Sequence, residues 1–174
     1  MAVIKELWYL PRPRKINKFR GGFPLHFEKR LFETYKPKLI LQPFGGMAEH
    51  GIKMDILHNS EIVPDVIADA HNLPFVDGCF DFVLLDPPYS DEESSRIFKT
   101  SKINLKQCVK EAVRVASLGG YIALYHIKMP ARPRYTRYDR IICILTRVNH
   151  SARICVIFQK INTLFDIEDK KAWS

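Results

Sequence analysis

The sequence predicts an α/β fold built on a mostly parallel sheet, with a C-terminal antiparallel hairpin. Three observations carry that expectation. Short apolar runs alternate with turn signals and two amphipathic stretches, which is the pattern of strand–crossover units. Several of these runs end in an acid or in a proline–glycine break, so the chain turns at the same end of each strand. The last two β-rich runs, 141–148 and 152–160, flank Asn149-His150-Ser151, a hairpin-like turn. At 174 residues, 47% hydrophobic and 26% charged, the chain has the size and composition of one globular domain.

Residues 1–22 read as an arm or loop, because Pro11, Pro13, Gly21 and Gly22 oppose helix. A helix is predicted from Pro24 to Tyr35, with Leu25, Phe27, Leu31, Phe32 and Tyr35 on one face and Pro24 in the first turn. Lys38 to Leu41 is a short buried strand, closed by Pro43-Phe44-Gly45-Gly46. Ile52 to Leu57 is a second strand, and Asp65 to Ala68 a third that ends at Asp69. Phe82 to Leu85 is a fully apolar fourth. A helix from Leu105 to Ser117 presents Val109, Ala112, Val113 and Ala116 on one face, with Gly119-Gly120 ending it. Tyr121 to Ile127 is the next strand. The division expected is a basic arm over 1–22, one domain over 23–162 and a tail over 163–174.

Asp86-Pro87-Pro88-Tyr89 is the most informative segment. Two consecutive prolines cannot continue the apolar strand before them, so the chain breaks rigidly just past its carboxyl end. In an open α/β sheet that edge binds ligands. The corner offers a carboxylate, a proline carbonyl and an aromatic face, a set suited to gripping a planar amino group such as that of a nucleobase. Asp81, just before the run, reads as structural, and His126 as lining of the same edge.

The net charge of +8 is concentrated in two segments. Residues 11–20 hold five Lys/Arg and no acid, and residues 128–140 hold five more against Asp139 alone. Such segments on a near-neutral body suit a polyanion. In the second, Arg132, Arg134, Arg137 and Arg140 alternate with Tyr135 and Tyr138, a pattern suited to phosphates and stacked bases. Cys79, Cys108, Cys143 and Cys155 show no CxxC pairing and the six histidines are scattered, so reduced thiols, no metal site and a cytoplasmic setting are expected. No apolar run approaches the roughly 20 residues of a membrane span.

Taken together, these motifs resemble the class I S-adenosylmethionine (SAM) dependent methyltransferases, in the amino-methylating group typified by DNA adenine-N6 and cytosine-N4 enzymes. Gln42-Pro43-Phe44-Gly45-Gly46-Met47-Ala48 resembles the SAM loop, with Gln42 where the family usually has Asp or Glu and Ala48 where it has Gly. Residues 69–81 (ADAHNLPFVDGCFD from Ala68) resemble the adenine-side acidic motif and its lead into the fourth strand. Asp86-Pro87-Pro88-Tyr89 matches the catalytic motif, and residues 19–25 resemble the segment that packs over the methionine end of SAM.

The resemblance implies a Rossmann-like fold and SAM as cofactor. It implies Asp86, Pro87, Pro88 and Tyr89 as catalytic residues. Phe23, Pro43, Phe44, Gly45, Gly46, Asp55, Asp69, Ala70 and Asp86 are implied around the cofactor, with the amides of 44–46 on the methionine carboxylate, Asp55 on the ribose, and Asp69 with Ala70 on the adenine. Only 40 positions separate Gly46 from Asp86, so the first crossover helix is expected to be truncated. The substrate expected is nucleic acid, DNA ahead of RNA, through Arg132, Arg134, Tyr135, Arg137, Tyr138 and Arg140, with a homodimer or a separate recognition subunit as possible partners. RNA stays open because tRNA guanine-N2 enzymes share the DPPY pattern. A small-molecule enzyme and a catalytically weak nucleic-acid-binding member are the other readings, the last prompted by Gln42 and Ala48.

Overall fold

The computed structural model describes residues 2–12, 22–58, 62–89, 103–147 and 151–162. In chain order the elements are β1 (Ile4–Tyr9), α1 (Phe27–Tyr35), β2 (Ile40–Pro43), β3 (Ile52–Asp55), β4 (Val66–Ile67), β5 (Phe80–Leu85), α2 (Leu105–Val115), β6 (Ala116–His126), β7 (Thr136–Leu145) and β8 (Arg153–Lys160). The strands form one sheet in the order β1-β7-β8-β6-β5-β2-β3-β4. Every neighbouring pair is parallel except β6–β8 and β7–β8, so the last strand alone runs against the rest, as expected. Residues 13–21, 90–102 and 163–174, and with them most of the first basic segment and the C-terminal tail, lie outside the described residues.

One described helix covers each face. Leu31, Phe27 and Phe32 of α1 pack with Phe82, Leu84, Ala123, Tyr125, Ile142 and Ile157. Cys108, Val109, Ala112 and Val113 of α2 pack on Leu41, Val83, Leu85, Ile122 and Leu124. Alternate residues of β5 therefore serve opposite cores, as a strand's period of two requires. The crossovers β2–β3, β3–β4 and β4–β5 contain no helix among the described residues, which explains the short spacing from Gly46 to Asp86.

Several sequence boundaries shift. The first helix starts at Phe27, not Pro24, because residues 25–26 form a turn and His26 takes a left-handed φ of 67°. β2 begins at Ile40, since the amides of Lys38 and Leu39 are taken by Asp81 Oδ2, each at 3.1 Å. Asp81 thus has the structural role expected of it. The second helix stops at Val115, and Gly119-Gly120 do not cap it. They lie inside β6, where the register with β5 shifts between Phe80 and Phe82 and Gly119 takes a φ of 81°.

The largest correction concerns residues 1–22. Ile4–Tyr9 is not loop but the edge strand β1, paired in parallel with β7 from Ile4↔Arg140 to Tyr9↔Leu145. Trp8 is 1% exposed, with the Arg30 guanidinium 4.2 Å above its ring. Leu7 and Tyr9, at 65% and 61% exposed, hide the burial alternation that would have marked a strand.

Arg114, in the last turn of α2, clamps the β4–β5 crossover. It donates to the carbonyls of Leu73 and Phe75, to Asp77, and to Glu111, whose other hydrogen bond comes from the Leu73 amide. The hydrogen bonds from Arg114 hold the Glu111 carboxyl below its usual range. Arg114→Ala is expected to cost about 2–3 kcal/mol, since charged hydrogen bonds are lost and a buried carboxylate is left behind. Because a lowered carboxyl stabilises only above its unfolded range, the deficit should shrink as pH falls below about 4, readable by urea melts across pH.

Candidate functional site

The chain order reverses between β2 and β5: β3 and β4 follow on one side of that pair, β6 on the other. Parallel strands diverging from such a point leave a crevice at their carboxyl ends. A cavity of about 650 Å³ is found there, within the usual range for a small-molecule site. Residues 22–29, 44–50 and 55–57 line it, with Ile62, Asp86, Pro88 and Ile103. In a chain of net charge +8 this lining is acidic, with Glu28, Glu49, Asp55 and Asp86 against Lys29.

Asp86 follows directly on the last residue of β5 and is half-buried at the cavity wall. Pro87 is buried and Pro88 lines the cavity, so the proline pair forms the rigid corner expected. Tyr89 donates its hydroxyl to Asp86 Oδ1 at 3.3 Å. The Tyr89 ring meets the edge of His126 at 5.3 Å, and the Arg153 guanidinium lies 4.9 Å over its face. Burial and the Asp86 charge push the Tyr89 hydroxyl well above its ordinary range, which keeps it a neutral donor. Phe23 is pinned between Phe27 and Tyr125, at 4.9 and 5.3 Å, and forms part of the opposite wall.

The loop after β2 lines the cavity, yet the amides of Gly45 and Gly46 are already bonded within the chain. Gly45 N donates to Met54 O at 2.9 Å, and the Gly46 amide bonds to the Asp55 carboxylate. This corrects the expectation that those two amides face a ligand carboxylate. Gly45 is needed for a different reason: a Cβ there would stand 2.7 Å from Gln42 O and 3.0 Å from Lys53 Cα. Pro43 is buried at the end of β2, and Phe44 takes a left-handed φ of 62°, an unusual conformation for a bulky residue. Asp55 lies at the cavity, held by the amides of Leu57, Gly46 and Ile56 while burial raises its carboxyl above the ordinary value.

Asp69 and Ala70 do not line the cavity. Asp69 accepts from the His71 amide at 2.9 Å and its ring at 2.6 Å, and His71 in turn accepts from Asn104 N at the start of α2. Ala70 is in the core. The apolar side chains at the Asp55 end are instead Ile56, Leu57 and Ile62.

Gln42 is 1% exposed beneath α1. Its Nε2 donates to Glu28 Oε1 at 2.6 Å and to His50 O at 2.8 Å, and its Oε1 is buried without a hydrogen-bond partner.

The basic segment 128–140 does not form one loop over the site. β7 starts at Thr136, and because it runs parallel to β6 the 127–135 crossover must carry the chain back to the sheet's opposite edge. The register places Arg137 beside Gln159 and Tyr121, four residues below the level of Asp86 and three strands away, roughly 20 Å by ordinary strand spacings. Arg137 donates to Gln159 Oε1, Tyr138 packs on Phe158, and Arg140 binds Glu6 and Tyr35. Arg132 donates to Thr136 O, and Arg134 stacks on its neighbour Tyr135. The geometry does not bring these six residues to Asp86.

The edge that carries Asp86 has other basic residues. Lys128 lies just past β6, Arg147 just past β7, and Arg153 opens β8. The described residues that flank the first basic segment meet at that edge too, with Leu10 N on Leu145 O and Leu25 N on Pro11 O. Sequence reasoning missed Arg153 and Glu28. The only available signal for Arg153 was the hairpin itself, which returns the start of β8 to the end of β6.

No family model and no curated protein matches the chain. Solved structures do. TrmN from Thermus thermophilus aligns with a TM-score of 0.55 at 16% identity, over 82% of this chain and 50% of that one, so the chain spans half of TrmN's length. A SAM-dependent methyltransferase from Methanosarcina mazei aligns at 0.50 and 16% identity, over 75% of this chain and 97% of that one. YhhF from Escherichia coli aligns at 0.50 and 12% identity, over 92% and 98%. The chain has the fold these structures share, a Rossmann-like α/β sheet.

Proposed function

We propose that this protein is a SAM-dependent N-methyltransferase that modifies the exocyclic amine of a nucleobase in nucleic acid, with adenine N6 and cytosine N4 in DNA as the first targets. The observation that carries the reading is Asp86. It is a carboxylate on a proline-stiffened corner, at the wall of an acid-lined cavity, at the sheet's switch point. The lining fits the cofactor: the acids suit a ligand bearing a sulfonium and an ammonium, Asp55 can accept ribose hydroxyls, and Ile56, Leu57 and Ile62 suit an adenine ring. When bound, SAM supplies a methyl group already activated by its sulfonium.

The chain's own contribution is to present the amine. Its lone pair is delocalised into the ring, and Asp86 draws one amine hydrogen towards itself, which favours a tetrahedral nitrogen and stabilises the positive charge that develops there. The rigid corner holds this geometry without reorganisation. Tyr89, hydrogen-bonded to Asp86, steadies the carboxylate and offers a ring for base stacking once Arg153 yields its face. On a duplex the base must first leave the stack.

Nucleic acid is proposed to approach the edge bearing Lys128, Arg147 and Arg153 rather than the 132–140 residues. Lys128→Ala with Arg147→Ala should flatten the log-affinity against log-salt slope for duplex DNA by roughly 2. Arg134→Ala with Arg137→Ala should leave it unchanged, and the reverse result would move the surface to the opposite edge. The function itself is tested by incubating the chain with labelled SAM and a panel of DNA and RNA, then analysing digested nucleosides by mass spectrometry. Label on an exocyclic nitrogen supports the reading, and the nucleoside identifies base and polymer. Transfer to no nucleic acid overturns it.

A further inference from the structure

We infer that the carboxylate of Glu28, on the first turn of α1, receives the α-ammonium of the cofactor's amino-acid end. The inference rests on the SAM-binding reading above and adds a residue that neither the motif pattern nor the fold assigns. Glu28 is 9% exposed and lines the cavity. What surrounds its carboxylate is mostly neutral. Gln42 Nε2 donates at 2.6 Å and Glu49 N at 3.4 Å, while the His50 imidazole stands at 3.7 Å, beyond hydrogen-bond reach. A nearly buried carboxylate with so little cationic company is expensive unless a charge is brought to it.

Two further observations point to the same corner. Gln42 Oε1 is buried and has no partner, so the group that clamps Glu28 is itself short of one donor. A buried acceptor left open commonly marks an unfilled place in a polar network. The N-terminus of α1, a nine-residue helix, also faces the cavity and has no side-chain cap. A zwitterion suits this pairing, its carboxylate at the helix's positive end and its ammonium on Glu28.

The ligand's own connectivity selects the corner. With the ribose at Asp55 and the methyl directed at Asp86, Glu28 and Glu49 are the acids left in the lining for the amino-acid end, and of the two Glu28 is buried and Glu49 exposed. Gln42 has no charge to offer, so the strand position that carries an acid in the resembling family acts here by orienting Glu28. Burial also lifts the Glu28 carboxyl above its ordinary value, because it disfavours the charged form, and an ammonium placed beside it would offset that cost.

The test is calorimetry on the full chain with two nucleosides. S-adenosylhomocysteine carries the amino-acid end and 5′-methylthioadenosine lacks it. Glu28→Gln should weaken S-adenosylhomocysteine about 10- to 100-fold and leave 5′-methylthioadenosine within about 2-fold. A ligand-side arm needs no variant: the wild-type chain should bind the deaminated homologue of S-adenosylhomocysteine about as weakly as Glu28→Gln binds the parent. Equal weakening of both nucleosides, an unchanged S-adenosylhomocysteine affinity, or full affinity for the deaminated ligand each overturns the assignment of Glu28 while leaving cofactor binding intact. If the wild-type chain binds none of them, the cofactor reading itself fails, and this inference with it.

Discussion

Asp86→Ala should reduce methyl transfer to nucleic acid by about 10³-fold or more, a barrier increase of roughly 4 kcal/mol. S-adenosylhomocysteine affinity should stay within a few-fold, because the other cavity walls do not depend on Asp86. The separation of the two effects is the point of the experiment. Asp86 stands between the cavity and the Tyr89–His126–Arg153 cluster, and in the proposed reaction its charge matters once the amine develops its own. Single-turnover rates with saturating cofactor measure it directly. Wild-type turnover in the variant would remove Asp86 from the chemistry, and with it the reason for choosing an amine as substrate. Asp86→Asn is the sharper companion: it keeps the shape, loses the charge, and is expected to fall almost as far.

Trp8→Ala should cost about 3–5 kcal/mol, the range for truncating a buried aromatic. Trp8 is 1% exposed, touches Phe27 edge-on at 6.0 Å and carries Arg30 over its ring. Losing it empties the space between β1 and α1, and α1 in turn supplies Glu28 and the Phe27 ring that backs Phe23 at the cavity wall. Urea unfolding should therefore show a midpoint lower by roughly 2 M for a chain of this size. Leu7→Ala on the same strand is the control, with an expected change within about 0.5 kcal/mol because Leu7 is 65% exposed. A small Trp8 effect would mean that β1 is not part of the cooperative fold. Cofactor affinity should track the same loss, since β1 braces α1 at the cavity.

The reading of the sequence succeeded where the signal is local. The run from Phe82 to Leu85 has no polar residue and can only be a strand buried on both faces, and a proline pair after it can only be a corner. The Leu105 helix announces itself through Val109, Ala112 and Val113 at helical spacing, while Ala116, expected on the same face, opens β6 instead. Asp81 beside a buried strand was legible as structural. The hairpin at 149–151 implied the antiparallel final strand, and the short spacing from Gly46 to Asp86 implied a truncated first crossover helix, though not that the next two crossovers would also lack one among the described residues.

It failed where one residue's meaning depends on a distant partner. Gly119-Gly120 look like a helix stop, yet the helix ends earlier because Ala116 pairs with Phe80 of β5. Ile4–Tyr9 looks like loop because its hydrogen-bond partners start at Arg140. The alternating arginines and tyrosines of 132–140 look like one binding surface. Strand direction decides otherwise, since β7 is parallel to β6 and the crossover must take them to the far edge of the sheet.

The sequence by itself determined the class of fold, the alternation of strands and crossovers from β2 onward, and the rigid break after the Phe82–Leu85 run, because period, apolar runs and proline geometry are properties of adjacent residues. The tertiary structure alone decided which charges surround that corner. It brought Glu28 against Gln42 and Arg153 over Tyr89, and it carried Arg137 away. Those juxtapositions arise from long-range pairing and strand direction, which no local pattern of residues encodes.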